Sequence, residues 1–275
     1  MKLKSFLVIS AIVALVYAVL NMCVSGNPAT APLWSVVLSV GAVLPTVIAF
    51  IAQREGLKKF VCDYLSLKNT NWRKVVLIVG FTALLLPVVK AVVVGLAGNL
   101  LGISAAGSLT TSFNAQLFGF ITYSVSTAAD ILPVIVADII YLFVAGSIIG
   151  IFNCIFEEIA WRGFMAKYLN GSLVAKSVII AIVWTLWTLA MTYTHTTWLN
   201  AVMLLVLNML LSYYLLRIAG STGSVWACAM VRGIFSLGAL SYCILPGSDF
   251  GTRLVSLIVV FVIIGIMSSV MKSRS

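Results

Sequence analysis

Charged residues are scarce in this chain of 275 residues, since Asp, Glu, Lys and Arg together make up only 9% of it. Soluble domains usually carry about a quarter charged residues. Hydrophobic residues make up 62%, and the mean hydropathy is +1.17. This composition excludes a water-soluble enzyme, a disordered chain and a nucleic-acid-binding protein. It predicts a protein that is embedded in a membrane.

Histidine and paired cysteines are also lacking. His195 is the only histidine, which excludes HExxH and any site with several histidine ligands. The five cysteines form no CxxC, which argues against a zinc site or a disulfide framework. P-loop and GxGxxG fingerprints are absent as well. We therefore expect neither a metal nor another cofactor.

Eight apolar runs follow one another along the chain, and each is about long enough to cross a bilayer as a helix. The first follows a basic start, as in a signal peptide, but it is longer than a usual signal sequence. We interpret it as an uncleaved helix, so the sequence predicts an all-α polytopic bundle with one membrane domain over residues 1–275. The runs lie at residues 5–24, 33–52, 75–97, 131–156, 173–194, 197–217, 222–243 and 252–271.

The basic residues outside these runs predict the orientation of the chain. There are 17 Lys and Arg against 7 Asp and Glu, a net charge of +10. With eight spans, nearly all of the basic loop residues fall on one side, and Arg253 is the exception. The positive-inside rule makes that side cytoplasmic, so we expect a plasma-membrane protein with both termini inside and a basic face against membrane lipids. Residues 99–130 are expected to form an outer loop with a surface-lying helix.

An acidic pair lies at the end of the fourth run, in Phe-Glu-Glu-Ile-Ala-Trp-Arg-Gly-Phe. Glu158 and Arg162 are four residues apart, so they share a helix face and are expected to pair. Glu157 projects about 100° away around the helix. A carboxylate in an apolar bundle suits general-base work on water. The alternative interpretation is a charge cluster that ends the helix among the lipid headgroups.

Other ionisable groups lie inside the apolar runs, where charges are costly and usually pair, line a cavity or act. Lys90 and Asp138 are expected at overlapping depths, where they form an ion pair or a polar functional site. Arg232 needs an anionic partner, and the two glutamates are the natural ones if their helices touch. His195 lies near the outer end of the fifth run, where an interfacial residue is the simpler interpretation.

The run Glu157-Glu158-x-x-x-Arg162-Gly163 resembles the first motif of the CAAX-prenyl-protease and bacteriocin-processing (Abi) family. Gly223-Ser224-Val225-Trp226 resembles the opening of the last core helix of that family. The resemblance covers about residues 130–240. It implies an intramembrane glutamate peptidase in which a glutamate activates water, while histidines from two later helices and an Asn position the substrate and stabilise the oxyanion.

Two later motifs of the family depart from its pattern here. The Phe-x-x-x-His motif falls either on residues 184–188, where Thr188 replaces the histidine, or on residues 191–195, which keep His195. The turn of the helical hairpin favours the first register. The third motif places Arg232 at a histidine and Ser236 at the following Asn. An arginine is always charged and is no acid-base shuttle, although it is able to stabilise an oxyanion.

Three functions stay open from the sequence. The first is an endopeptidase acting on a peptide or prenylated protein, with Glu157 or Glu158 as base, Arg162 orienting it and His195 or Arg232 as electrophile. The second is a non-catalytic scaffold that binds a membrane partner, as in bacteriocin immunity or membrane regulation. The third is a small transporter that uses Lys90, Asp138 and Glu157, although paired broken helices are not visible.

Overall fold

The computed structural model describes most of the chain as helix. The described residues are 2–24, 31–68, 70–101, 113–117, 121–125, 128–192, 197–238 and 250–272. The predicted all-α membrane helix bundle is confirmed. His195 lies outside the described residues.

The first half of the chain contains four helices and one hairpin. The helices are α1 (Lys2–Val24), α2 (Ala31–Gln53), α3 (Leu57–Leu65) and α4 (Trp72–Leu101). Strands β1 (Phe113–Leu117) and β2 (Ile121–Val125) pair antiparallel, with Phe113 opposite Val125 and Leu117 opposite Ile121. The surface-lying helix expected within residues 99–130 is therefore wrong for this segment. Residues Phe113, Ile121 and Tyr123 are of types that favour strands.

The middle of the chain is helical without a break from residue 128 to residue 168. Wide π turns alternate with α-helix along it, and such turns are frequent at functional sites. The pieces are α5 (Ala128–Tyr141), π1 (Leu142–Gly146), α6 (Ser147–Ile149), π2 (Gly150–Cys154), α7 (Ile155–Glu158), π3 (Ile159–Met165) and α8 (Ala166–Tyr168). The predicted end of the fourth span at residue 156 was thus twelve residues too early.

The last part of the chain forms four further helices. These are α9 (Leu173–Thr192), α10 (Trp198–Thr222), α11 (Val225–Gly238) and α12 (Phe250–Lys272). Five helices of the described chain are long and apolar enough to cross a membrane, and three shorter apolar helices accompany them. All eight predicted runs therefore correspond to apolar helices, while the number that cross the membrane stays a prediction. Many large apolar side chains on these helices are exposed, as expected for surfaces that face lipid.

By internal contacts the chain divides into two compact units that alternate in the sequence. Unit 1 contains Met1–Asn71 and Asn153–Cys228, and unit 2 contains Trp72–Phe152 and Ala229–Ser275. The single membrane domain expected from the sequence stays a prediction.

Unit 1 is held by aromatic packing between α1, the central helix and α9. Phe6 lies against Trp161 and Phe164, with ring centroids 6.0 and 5.1 Å away. Further along α1, the ring of Tyr17 lies 6.2 Å from that of Trp187. All five side chains are buried. Because aromatic side chains bury large areas and pack with defined geometry, these contacts fix α1 against the helices that carry the candidate site.

The predicted cytoplasmic end of unit 1 is a polar network. Glu55, in the turn between α2 and α3, accepts bonds from Lys2 at 2.8 Å and from Gln53 at 2.6 Å, and Lys59 lies 3.2 Å away. Asp63 of α3 accepts from Lys167 at 2.8 Å. The network brings the start of α1, the α2–α3 turn and the end of the central helix to one level, as the predicted distribution of basic residues requires.

Unit 2 contains a close crossing between α11 and the central helix. A Cβ on Gly233 would lie 2.1 Å from the carbonyl oxygen of Gly146, and a Cβ on Gly150 would lie 2.2 Å from that of Ala229. No larger residue fits at either position without moving backbone. Small residues are the usual means by which membrane helices approach this closely.

Candidate functional site

The acidic pair lies in α7, a single helical turn between the π turns π2 and π3. Glu157 is 9% exposed, Glu158 is fully buried and Arg162 is 3% exposed. The helix continues for ten residues beyond Glu158 to Tyr168. The interpretation of these residues as a charge cluster that ends the helix is therefore wrong, because the charges are covered by protein.

Glu158 and Arg162 form a buried ion pair, which confirms the pairing predicted from their spacing. Nη1 of Arg162 lies 3.0 Å from Oε1 of Glu158, and neither side chain is exposed. A buried charge is tolerated when it is paired and hydrogen-bonded. Glu158 is thus held as the counter-ion of Arg162.

The guanidinium of Arg162 has two further contacts on other helices. Its Nη2 donates to Oγ of Ser212 in α10 at 3.2 Å. Its carbon Cζ lies 4.5 Å from the ring centroid of Trp184 in α9, a cation–π contact. Because a guanidinium is planar and presents several donors, it connects three helices at once. Arg162 and Glu158 are therefore fixed in orientation.

Glu157 has a different environment from its neighbour. Its Oε2 lies 3.4 Å from Nε1 of Trp161, a long hydrogen bond that is again four residues along the helix. Trp161 is fully buried and packs against Phe6 of α1. Consequently, one carboxylate of the pair faces a guanidinium and the other faces an indole. Neighbouring carboxylates in different environments are able to take different chemical roles.

The segment Trp184–Thr188 of α9 runs beside the acidic pair. Lys176 donates to the carbonyl oxygen of Ala166, and Trp184 contacts Arg162, so α9 runs antiparallel to the end of the central helix. The first contact puts Glu158 level with Trp184 and the second puts it level with Thr188, so the level of Glu158 falls within this segment. In the first register of the second motif, its aromatic residue is thus Trp184, which contacts Arg162 of the first motif. The choice between Thr188 and His195 stays a prediction, because His195 is not among the described residues.

A second polar contact joins α9 and α10. Nδ2 of Asn208 donates to Oγ1 of Thr185 at 3.0 Å, and both side chains are buried. Asn208 is one helical turn from Ser212, which binds Arg162. The two polar residues of α10 therefore face the same side as the acidic pair.

Sequence reasoning missed Trp184, Ser212 and Asn208 as parts of this site. A signal was present, because Asn208 and Ser212 are polar residues four apart in the largely apolar stretch from Ala201 to Leu216. Polar groups at that spacing share one helix face, and inside a membrane they face protein. The stacking of Trp184 on Arg162 has no comparable local signal.

The motif Gly223-Ser224-Val225-Trp226 forms the turn between α10 and α11. Gly223 has φ +66° and ends α10, with its N–H bonded to the carbonyl oxygen of Ala219. This left-handed conformation favours glycine. Nε1 of Trp226 donates to the carbonyl oxygen of Leu65 at 3.2 Å and so holds the end of α3. The motif serves the scaffold of unit 1.

The remaining predicted residues belong to unit 2. Arg232 is partly buried in α11, and Ser236 of the same helix is exposed. The expected contact of Arg232 with the glutamates stays a prediction. Lys90 and Asp138 are both buried, on α4 and α5, which pack against each other. Their pairing and a polar path through them stay predictions.

The described residues include no group of three or more His, Cys, Asp or Glu that is placed to hold a metal ion.

Comparison with known proteins finds a family that this core resembles. No curated protein matches the chain. Residues 139–238 match the family model described as type II CAAX prenyl endopeptidase Rce1-like, and this segment contains the acidic pair, Arg162, α9, α10 and α11. The resemblance predicted from the motifs is thereby confirmed. Over these 100 of its 275 residues, this multi-pass membrane protein is similar to the Rce1-like family of type II CAAX prenyl endopeptidases.

Proposed function

We propose that the protein is an intramembrane endopeptidase of the CAAX type and that Glu157 is its general base. The observation that carries this proposal is that the two glutamates have different hydrogen-bond partners. Glu158 is bound to Arg162 at 3.0 Å, whereas Glu157 accepts a 3.4 Å bond from Trp161. A carboxylate that is engaged by a guanidinium is a poor proton acceptor, so the proton of water goes to Glu157.

In the proposed reaction, Glu157 takes a proton from a water molecule and the hydroxide adds to the peptide carbonyl. The tetrahedral intermediate carries an oxyanion, which needs a donor or a positive charge beside it. The family pattern assigns this task to histidine, and Arg232 or His195 takes it in this proposal. The proton on Glu157 then passes to the leaving amine. Arg162 keeps the turn that carries the pair in position.

Arg232 stands where the family has a histidine, and so does Thr188 in the first register of the second motif, so we expect a slow enzyme. Threonine does not carry a proton at neutral pH, and arginine does not release one. The substrate class is a peptide or prenylated protein end that reaches the site from the membrane. The proposed location is the plasma membrane with both termini in the cytoplasm, which the polar network around Glu55 supports.

The test is mass spectrometry of a farnesylated peptide ending in a CAAX sequence, incubated with the purified protein in lipid. We expect one site-specific cleavage in the wild type and none with Glu157→Gln. The same peptide without the farnesyl group measures the demand for a lipid anchor. Equal peptide recovery from the wild type and from Glu157→Gln would contradict the proposal.

The second candidate function is a non-catalytic member of the family that binds a membrane partner, as in immunity or membrane regulation. The replacement of the third-motif histidine by Arg232, and of the second-motif histidine by Thr188 in the first register, favours it. In that case, Glu158 and Arg162 are retained for stability alone. Partner binding that survives Glu157→Gln, together with no cleavage of the peptide, would identify this function.

A further inference from the structure

Trp187 is a buried hydrogen-bond donor next to the proposed reaction centre. Its side chain is 3% exposed, and its Nε1 has no hydrogen-bond partner among the described residues. A buried donor without an acceptor costs about 1–3 kcal/mol, so native proteins rarely retain one. By contrast, Nε1 of Trp161 donates to Glu157 and Nε1 of Trp226 to Leu65. The N–H of Trp187 is thus a feature that packing does not explain.

Trp187 lies within about one helical turn of the level of the acidic pair. Arg162 contacts Trp184 and Lys176 bonds to Ala166, and these two contacts put Glu157 level with a residue between 185 and 189 of α9. Its ring is held by Tyr17, whose centroid is 6.2 Å away. Tyr17 is itself fixed by a 2.9 Å bond from its hydroxyl to the carbonyl oxygen of Val37. The indole is therefore held in a rigid setting between α1 and α9.

Thr188, the next residue along α9, is less covered than its neighbours on the same helix face. On the helical wheel it lies between Trp184, Thr185 and Trp187, which are all buried, yet Thr188 itself is only partly buried. Thr188 is therefore the point of this buried face where a ligand would approach the indole.

We propose that Nε1 of Trp187 donates to the carbonyl oxygen of the bound peptide beside Thr188. The ligand class is an extended peptide whose carbonyl enters the bundle beside Glu157. This inference rests on the proposed function for its ligand, although binding alone is sufficient to test it. In a reacting complex the same N–H stabilises the oxyanion, which replaces part of what the missing histidine supplies.

Two uncleavable probes test this assignment. Both are farnesylated CAAX peptides, one with a ketomethylene and one with an E-alkene in place of the amide that would be cleaved. Only the ketomethylene keeps the carbonyl oxygen. We expect the wild type to bind it about fivefold more tightly than the alkene, as one hydrogen bond provides. Trp187→Phe, which keeps the ring and loses the N–H, should bind both equally.

The matched control is Trp226→Phe, which removes an N–H that is bonded to Leu65. It should keep the preference for the ketomethylene and lower the unfolding temperature, whereas Trp187→Phe should keep or raise that temperature. Where the wild type cleaves the parent peptide, Trp187→Phe should lower kcat by about a hundredfold and raise KM by about fivefold, the factor by which it weakens binding.

The outcomes separate the two proposals. If the preference for the ketomethylene probe disappears in Trp187→Phe, this inference is supported even when the wild type cleaves nothing. Absence of cleavage by the wild type would refute the peptidase proposal alone. A preference that Trp187→Phe retains overturns the inference even if cleavage is observed. Absence of binding of either probe to the wild type also overturns it.

Discussion

At the scale of single residues, the ion pair of Glu158 and Arg162 is the contact that distinguishes the two glutamates of the site. Both groups are fully covered, and Arg162 also contacts Ser212 and Trp184. The i,i+4 spacing was enough to predict the pair, because the geometry of one helix fixes it. The two contacts on other helices depend on tertiary packing, which no local pattern contains.

Removal of one partner of this pair should be strongly destabilising. We expect Arg162→Met to lower the free energy of unfolding by about 3–5 kcal/mol, because it leaves Glu158 buried without its counter-ion. The measurement is denaturant unfolding of the purified protein in detergent. The double variant Glu158→Gln with Arg162→Met should recover much of the loss. Unchanged stability of Arg162→Met would contradict the pair's structural role.

Glu55 makes a pH-dependent contribution outside the membrane-spanning helices. The bond from Lys2, then that from Gln53, lowers the pKa of Glu55 from 4.5 to about 2. Because the folded pKa is depressed, the stabilisation is present above pH 4.5 and is lost as the pH falls towards 2. Glu55→Gln should remove this part of the acid destabilisation. Thermal unfolding between these pH values measures it, and identical profiles for the two proteins would refute it.

At the scale of elements, the glycines explain how closely the helices approach. Gly163 of the first motif lies against α3, where a Cβ would be 2.8 Å from Cδ1 of the buried Tyr64. The motif was visible in the sequence. Its glycine, however, is required by the close packing of α3, a helix too short to appear as an apolar run. The π turns were equally hidden, because no residue pattern of the central helix marks them.

Gly163→Ala should destabilise unit 1. The added methyl displaces the ring of Tyr64, an overpacking that usually costs about 1–3 kcal/mol. The matched control is Gly220→Ala in α10, where nothing lies within 4 Å of the added methyl. Unfolding temperatures compare the two variants. Equal temperatures would show that the approach of α3 to Gly163 is not close.

Gly233→Ala should disrupt the crossing of α11 and the central helix in unit 2. Its methyl would meet the backbone of Gly146 and Gly150, which is unable to move aside as a side chain does. The control is Gly265→Ala in α12, with nothing within 4 Å. We expect a lower yield of folded protein on size-exclusion chromatography for Gly233→Ala alone. A normal yield would contradict the crossing.

At the scale of the whole molecule, composition was sufficient to predict a helical membrane protein, whereas the orientation expected from the basic residues stays a prediction. The error was the end of the fourth span. The local hydropathy is lowered, as in a loop, by Glu157, Glu158 and Arg162. Nevertheless, Glu158 pairs with Arg162 and Glu157 bonds to Trp161, so the helix continues to Tyr168. Hydropathy counts charges one by one and does not register that two of them pair.

The predicted orientation is testable with natural cysteines. Cys62 of α3 is exposed and belongs to the predicted cytoplasmic side, whereas Cys23 at the end of α1 is exposed on the opposite side. In variants that keep one of these cysteines, a membrane-impermeant maleimide should label Cys62 only in inverted vesicles and Cys23 only in intact cells. The reversed pattern would place the termini outside.

The central claim is that Glu157 acts as the base while Glu158 binds Arg162. Single-turnover cleavage by Glu157→Gln and by Glu158→Gln tests it most directly. The unfolding temperature of each variant is measured alongside. Glu157→Gln should stay folded and lose cleavage by at least about a hundredfold. Glu158→Gln should be less stable, and its folded fraction should keep most of the cleavage. A stable Glu158→Gln without activity, beside an active Glu157→Gln, would reverse the assignment and contradict the account.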